Sequence, residues 1–208
     1  MCNLYSLTKG QAAIRALFDG ITDKTGNLEP TPAVYPDYAA PVVANTANGL
    51  ALSKMRWGMP SPPTVLRGKR ADKGITNIRN TASPHWRRWL GPDHRCVVPF
   101  TAFSEYQAGV GPKWFALDVD QPLAFFAGIW TAWTSVRKVK DGETTDDVFG
   151  FLTTAPNETV GRYHPKAMPV ILISSEAVHH WLTAPADQAL RLQRTLPDSM
   201  MRVVDGPL

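Results

Sequence analysis

Residues 114–130 read WFALDVDQPLAFFAGIW, and the interpretation of this stretch sets the fold class. Trp114 to Val119 and Leu123 to Trp130 are aromatic and apolar runs of the kind that fits a pleated, half-buried surface. Asp120-Gln121-Pro122 between them carries residue types that reverse a chain, so the stretch predicts a hairpin. Similar runs recur at Leu50 to Trp57, Cys96 to Pro99, Val148 to Thr154 and Pro169 to Ile173, and Asp141-Gly142 predicts another hairpin turn. In Leu50 to Trp57 the alternation holds through Leu52 and resumes out of phase at Met55 and Trp57, which predicts a β-bulge.

Helical signals are fewer. Thr8 is placed to cap a helix over Lys9 to Asp19, with Ala12, Ala13, Ala16 and Leu17 as its apolar stripe. Ser83-Pro84 opens a second helix through Leu90, Ser174 or Ser175 opens a third through Leu182, and Ala186 to Gln193 is a further candidate. Asn27 to Asp37 reads as irregular. Many short strands in hairpin order with few helices predict an α+β fold: a single domain over residues 1–208, its mostly antiparallel, barrel-like β core flanked by a few short helices. The 18 prolines punctuate loops, and no repeat or linker divides the chain.

Composition narrows the function classes. With 44% hydrophobic and 19% charged residues the chain is globular rather than disordered. A net charge of +4 is compatible with a polyanionic partner without identifying one. No run approaches the roughly 18 apolar residues of a membrane helix, and the N-terminus lacks the pattern of a signal peptide. Two cysteines, Cys2 and Cys96, do not make a disulfide framework, so a reducing cytoplasm is the expected location. No His, Cys and carboxylate cluster has ligand spacing, so neither metal nor cofactor is expected.

The chemistry concentrates at Cys2. Removal of Met1 would leave Cys2 with a free α-amine beside its thiol. Such a 1,2-aminothiol condenses with an aldehyde through the amine, and the thiol then closes a thiazolidine in an intramolecular step. With a pKa of about 7.7–8.0 against about 10.4 for lysine, far more of the α-amine is unprotonated at neutral pH. Glu105, inside the apolar and aromatic run Pro99 to Tyr106, is the carboxylate most suited to proton transfer, because desolvation raises a carboxyl pKa toward neutrality. Of the five histidines, His164 stands in a loop ahead of a strand, where catalytic groups tend to be mounted. His85, His94, His179 and His180 read as helix or boundary positions. Asn77 and Arg79 alternate in Ile75 to Thr81, which predicts both side chains on one face. Cys96 reads as a small core residue. The seven tryptophans include Trp86 and Trp89, three apart on a helix and read as core beside a solvated Arg87 and Arg88 face.

Five segments then occur in a telling order: Met1-Cys2; Arg56-Trp57-Gly58-Met59-Pro60; Asn77-x-Arg79; Arg95-Cys96-Val97-Val98-Pro99 with Phe103-x-Glu105-Tyr106; and His164 ahead of Met168-Pro169-Val170-Ile171-Leu172. Together they resemble the SRAP family, the SOS-response-associated peptidases, over nearly the whole chain. The resemblance implies a DNA damage response protein that forms a thiazolidine crosslink with abasic sites in single-stranded DNA, with cysteine peptidase, lyase or non-covalent single-strand binding as alternatives. It implies that Cys2 crosslinks, Asn77 orients the amine, Glu105 moves protons and His164 helps open the closed sugar. Arg79 would contact phosphate, with Lys166, Tyr106 and Trp57 as further DNA-binding candidates. The expected protein is a monomer without membrane attachment, associated with the nucleoid when on DNA. Three features depart from the family pattern: Asn3-Leu4 replaces Gly-Arg after the cysteine, the segment from His164 to Met168-Pro169 is one residue longer and carries Lys166 in place of arginine, and Tyr106 replaces tryptophan.

Overall fold

The alternation of apolar residues in the strands resolves into two cores on opposite faces of one sheet. A computed structural model describes residues 2–207. In chain order its strands are β1 (Leu4–Leu7), β2 (Thr22–Asp23), β3 (Thr31–Val34), β4 (Ala39–Thr46), β5 (Gly49–Trp57), β6 (Asn77–Ile78), β7 (Arg95–Phe100), β8 (Ala102–Gln107), β9 (Gly111–Ala116), β10 (Ala124–Val136), β11 (Glu143–Thr154), β12 (Met168–Pro169), β13 (Ile171–Leu172) and β14 (Arg202–Val204). Short helices α1 (Gln11–Arg15), α2 (Pro63–Leu66), α3 (Pro84–Arg87), α4 (Glu158–Gly161), α5 (Ser175–Thr183) and α6 (Ala186–Ala189) connect them. The order β11-β10-β7-β4-β5 closes on itself because β5 also pairs with β11, in parallel, to give a five-stranded mixed barrel. A second sheet runs β14-β9-β8-β1-β3. The α+β, barrel-based class expected from the sequence is the class observed.

Side chains sort by face along each barrel strand. On β7, Cys96, Val98 and Phe100 join one cluster while Val97 joins the other. On β10, Phe126 points one way and Phe125, Ala127 and Ile129 the other. The first cluster also takes Tyr5, Phe103 and Phe115 from the second sheet, whereas the second cluster is covered by Trp86, Trp89 and the Val178, Trp181 and Leu182 face of α5. Burial on both faces explains why no bulge forms in β5. The β4–β5 register is continuous from Ala39↔Arg56 to Thr46↔Gly49; Leu52 serves one core, Met55 and Trp57 the other. Such strands read as broken alternation although the pleat is regular.

Other expectations are corrected. Asp120-Gln121-Pro122 does not join a hairpin: β9 pairs with β8 and β14, β10 with β7 and β11, so the turn, with Gln121 at φ 50°, carries the chain between sheets. The Asp141-Gly142 turn does close the β10–β11 hairpin, with Gly142 at φ 72°. Helix α1 spans Gln11–Arg15, shorter than Lys9 to Asp19, and its N-cap is Gly10. Thr8 is committed elsewhere, its N–H and hydroxyl meeting Thr101 Oγ1 at 3.2 and 3.1 Å. The segment Asn27 to Asp37, read as irregular, supplies β3. The helix opening at Ser83-Pro84 stops at Arg87 rather than Leu90.

Gly128 lies opposite Cys96 where β10 crosses β7, and a Cβ there would meet Cys96 Sγ at 2.8 Å and the Gly150 carbonyl oxygen at 3.1 Å. Overpacking a closed core costs about 1–3 kcal/mol. Gly128→Ala is therefore expected to lower unfolding free energy by about that much, measured by urea titration; an unchanged midpoint would show that the crossing relaxes freely.

Candidate active site around Cys2

Cys2 is separated by Asn3 alone from β1, an internal strand of the second sheet. Leu4, Tyr5 and Ser6 pair with Ser104, Phe103 and Ala102 of β8, and Tyr5 pairs with Val34 of β3 on the other edge. This pairing carries the start of the chain into the molecule, and Cys2 is fully buried. Its thiol points to the Leu4 carbonyl oxygen at 3.5 Å. Burial drives the thiol pKa well upward, and the nearby Glu105 carboxylate adds to the shift.

Asn77 approaches from β6, a two-residue strand laid parallel to β11 with Asn77 facing Phe151. Its Nδ2 donates to the Cys2 carbonyl oxygen at 2.7 Å and to Thr76 Oγ1 at 2.8 Å. Its buried Oδ1 accepts no hydrogen bond among the described residues. Thr76 Oγ1 in turn lies 3.4 Å from Asn3 Oδ1. The residue that replaces glycine after the cysteine is thus part of the cradle.

Glu105 stands on β8, one residue beyond the Leu4 partner Ser104, and is 1% exposed. Loss of hydration raises its carboxyl pKa from 4.5 to about 7. His164 Nε2 lies 3.7 Å from Glu105 Oε2. The histidine is delivered by α4, whose N-cap Asn157 accepts from Val160 N at 3.0 Å, and the Val160 carbonyl holds His164 N at 2.9 Å. Burial lowers the His164 pKa, and the Lys166 charge works in the same direction. The arrangement offers a buried thiol, an open amide acceptor, a carboxyl poised near neutrality and an uncharged imidazole.

The structure brings Cys2, Asn77, Glu105 and His164 together and distributes the DNA-binding candidates differently. Asn77 is buried within β6, whereas Arg79 lies just beyond the end of that strand and is exposed. Lys166 is exposed and Tyr106 is 68% exposed. Trp57 is fully buried, stacked with Phe149 and Phe151 and with its indole N–H on the Thr76 carbonyl, so it offers no face to a base. Sequence reading missed Thr76 and Asn157, ordinary polar residues whose importance comes from what they hold. A groove of about 440 Å³ lined by Phe18, Phe125, Leu172, Val178 and Leu182 lies on the other core and includes none of the site residues. Among the described residues no group of three or more His, Cys, Asp and Glu is arranged to hold a metal, and no helix is long and apolar enough to cross a membrane.

The raised Glu105 pKa has a signed consequence for stability. Between pH 4.5 and 7 the folded chain holds a proton that the unfolded chain has released, so stability falls as pH rises through this window. The full effect above pH 7 is on the order of 3 kcal/mol. The lowered His164 pKa acts oppositely below the ordinary histidine value, and the difference between wild type and Glu105→Gln isolates the carboxyl. Urea unfolding from pH 4.5 to 8 is expected to show wild type losing stability relative to Glu105→Gln; parallel profiles would mean Glu105 is not desolvated.

Comparison with known proteins agrees with this architecture. The family model described as SOS response associated peptidase (SRAP) matches residues 1–205. No curated protein matches the chain. Among solved structures, a Bordetella bronchiseptica protein is 24% identical over 97% of this chain and 98% of its own, with a TM-score of 0.71. A Bacteroides thetaiotaomicron protein is 20% identical over 97% and 90%, with a TM-score of 0.73. A phage-related protein of Bordetella bronchiseptica is 20% identical over 97% and 92%, with a TM-score of 0.68. At these identities the likeness is one of fold, while the family match spans essentially the whole sequence: the chain belongs to the SOS response associated peptidase (SRAP) family.

Proposed function

We propose that this protein captures abasic sites in single-stranded DNA by forming a thiazolidine at Cys2. The observation that carries the proposal is the clamp on Cys2: its carbonyl is fixed by Asn77 Nδ2 at 2.7 Å, while the buried oxygen of the same amide has no partner among the described residues and is placed to hold the α-amine. The reaction requires removal of Met1, which lies outside the described residues. The free amine adds to the sugar aldehyde; Glu105 in its protonated form delivers a proton to the departing hydroxyl and its carboxylate then takes the remaining nitrogen proton, so a neutral imine forms and water leaves. The thiol then adds to the imine carbon; the carbon–sulfur bond forms as Glu105 gives its proton to the ring nitrogen and takes the thiol proton in exchange, which restores its acid form. His164, uncharged and beside Glu105, assists the prior opening of the cyclic sugar. Exposed Arg79 and Lys166 supply cations for the phosphates.

Desolvation also bears on the peptidase alternative. A cysteine peptidase needs a thiol with a depressed pKa, paired to a cation. Here burial holds the Cys2 thiol well above its ordinary value and leaves His164 less basic than usual. That environment suits an amine-first reaction in which the thiol acts second.

Intact-mass measurement of Met1-free protein incubated with an abasic oligonucleotide is expected to show one adduct at the combined mass less one water. Cys2→Ala should give no adduct unless borohydride is present to trap the imine. Glu105→Ala should slow adduct formation by roughly 10²-fold or more, the usual scale of general acid–base assistance. Unmodified wild-type protein with Met1 absent would sink the proposal.

A further inference from the structure

We propose that Tyr35 and Tyr38 form an aromatic platform beside Cys2 on which the nucleobase flanking the abasic position stacks; the inference rests on the single-stranded DNA reading above. Scattered exposed hydrophobics need no explanation, but these two are in contact and are held out rigidly. Tyr35 is 44% and Tyr38 55% exposed, and their rings meet edge to face at 5.6 Å. The turn between them closes through Tyr38 N to the Tyr35 carbonyl at 3.1 Å and places Asp37 at φ 71°, a left-handed conformation that costs a non-glycine residue energy. Two backbone hydrogen bonds fix that turn to the end of β5: Asp37 N donates to the Trp57 carbonyl and Trp57 N to the Tyr38 carbonyl, each at 2.9 Å. The Asp37 carboxylate is pinned by Arg56 Nε at 2.9 Å and Lys138 Nζ at 3.4 Å. A strained, doubly anchored turn that presents two aromatics to solvent fits a surface made for a planar partner.

The location follows from the same contacts. Tyr35 directly succeeds Val34, the β3 residue paired with Tyr5 of β1, so the turn runs alongside the approach to Cys2. The backbone of Trp57 carries the turn, and its indole N–H donates to Thr76, whose hydroxyl accepts from Asn77, the residue clamping Cys2. Platform and reactive residue are thereby tied to one buried residue, the first through its backbone and the second through its indole. Arg56 and Lys138 lie at the base of the turn, and Lys138 is 54% exposed. Arg56 is taken up by Asp37 and Asp146, which leaves the exposed Lys138 as the cation beside the aromatic face, an arrangement that accommodates a base and its phosphate without regard to sequence.

The test uses oligonucleotides carrying tetrahydrofuran, an unreactive abasic mimic, so that binding is measured apart from Cys2 chemistry. One has ordinary bases on both sides of the mimic; the other has mimics at the flanking positions as well. Wild type should bind the first about tenfold more tightly, in keeping with base–aromatic stacking. Tyr35→Ala/Tyr38→Ala, with its thermal midpoint checked against wild type, should bind both at the weaker affinity. Val119→Ala, an exposed substitution elsewhere (75% exposed), should retain the preference. Wild type without a preference, or a double variant that keeps it, overturns the platform, including the case in which the patch is covered by a peptide or a second copy instead. Failure of the mass adduct with reactive abasic DNA bears on the Cys2 chemistry alone.

Discussion

The main-chain pairing of β1 with β8 is the constraint on which the site depends. A terminal residue has every entropic reason to fray, yet Leu4, Tyr5 and Ser6 are locked between Ser104, Phe103 and Ala102 on one side and β3 on the other. That ladder brings Cys2 and Glu105, more than a hundred positions apart in sequence, into one electrostatic environment. It also makes the position of Cys2 a property of the folded sheet rather than of a flexible tail. The Thr101 N–H on the Ser6 carbonyl and the Thr101 hydroxyl among Ser6 and Thr8 secure the far end of the strand.

Trp57 shows how the barrel serves the site without touching substrate. Its ring stacks on Phe149 and Phe151 of β11, the strand whose parallel pairing with β5 closes the barrel. The same residue fixes the Tyr35–Tyr38 turn through its backbone and Thr76 through its indole. An indole suits the position because it fills a large apolar volume and still has one N–H to satisfy. Replacing it would disturb closure, cradle and rim together, so a loss of DNA binding in a Trp57 variant would say nothing about stacking on DNA.

How much of this was legible in the sequence depends on whether the signal was local. The α+β class followed from strand-like runs, and the Asp141-Gly142 hairpin from its turn residues. The destination of the chain after Asp120-Gln121-Pro122 was not legible, because a turn fixes a reversal and not which sheet receives the next strand. The β5 bulge was misread for a related reason: apolar residues on both faces look like slipped alternation when one face is assumed to be wet. At the site, Cys2, Glu105 and His164 were accessible through residue chemistry and the family pattern. Thr76, Asn157 and the Tyr35–Tyr38 turn were not, since each matters through a contact made by folding.

Burial acts on the three titratable groups of the site in one direction, toward neutrality. It raises Cys2 and Glu105 and lowers His164. A site that stabilises neutral forms is poorly suited to a thiolate–imidazolium pair, whose two charges would both have to be maintained against desolvation. It is well suited to condensation of an amine with an aldehyde, where the reactants and the imine can all be neutral and the product to be expelled is water. Glu105, near its midpoint at physiological pH, can give a proton in one step and take one in the next. Under the proposed reading, the seclusion that makes Cys2 a weak acid is therefore what allows its amine to act first and its thiol to finish.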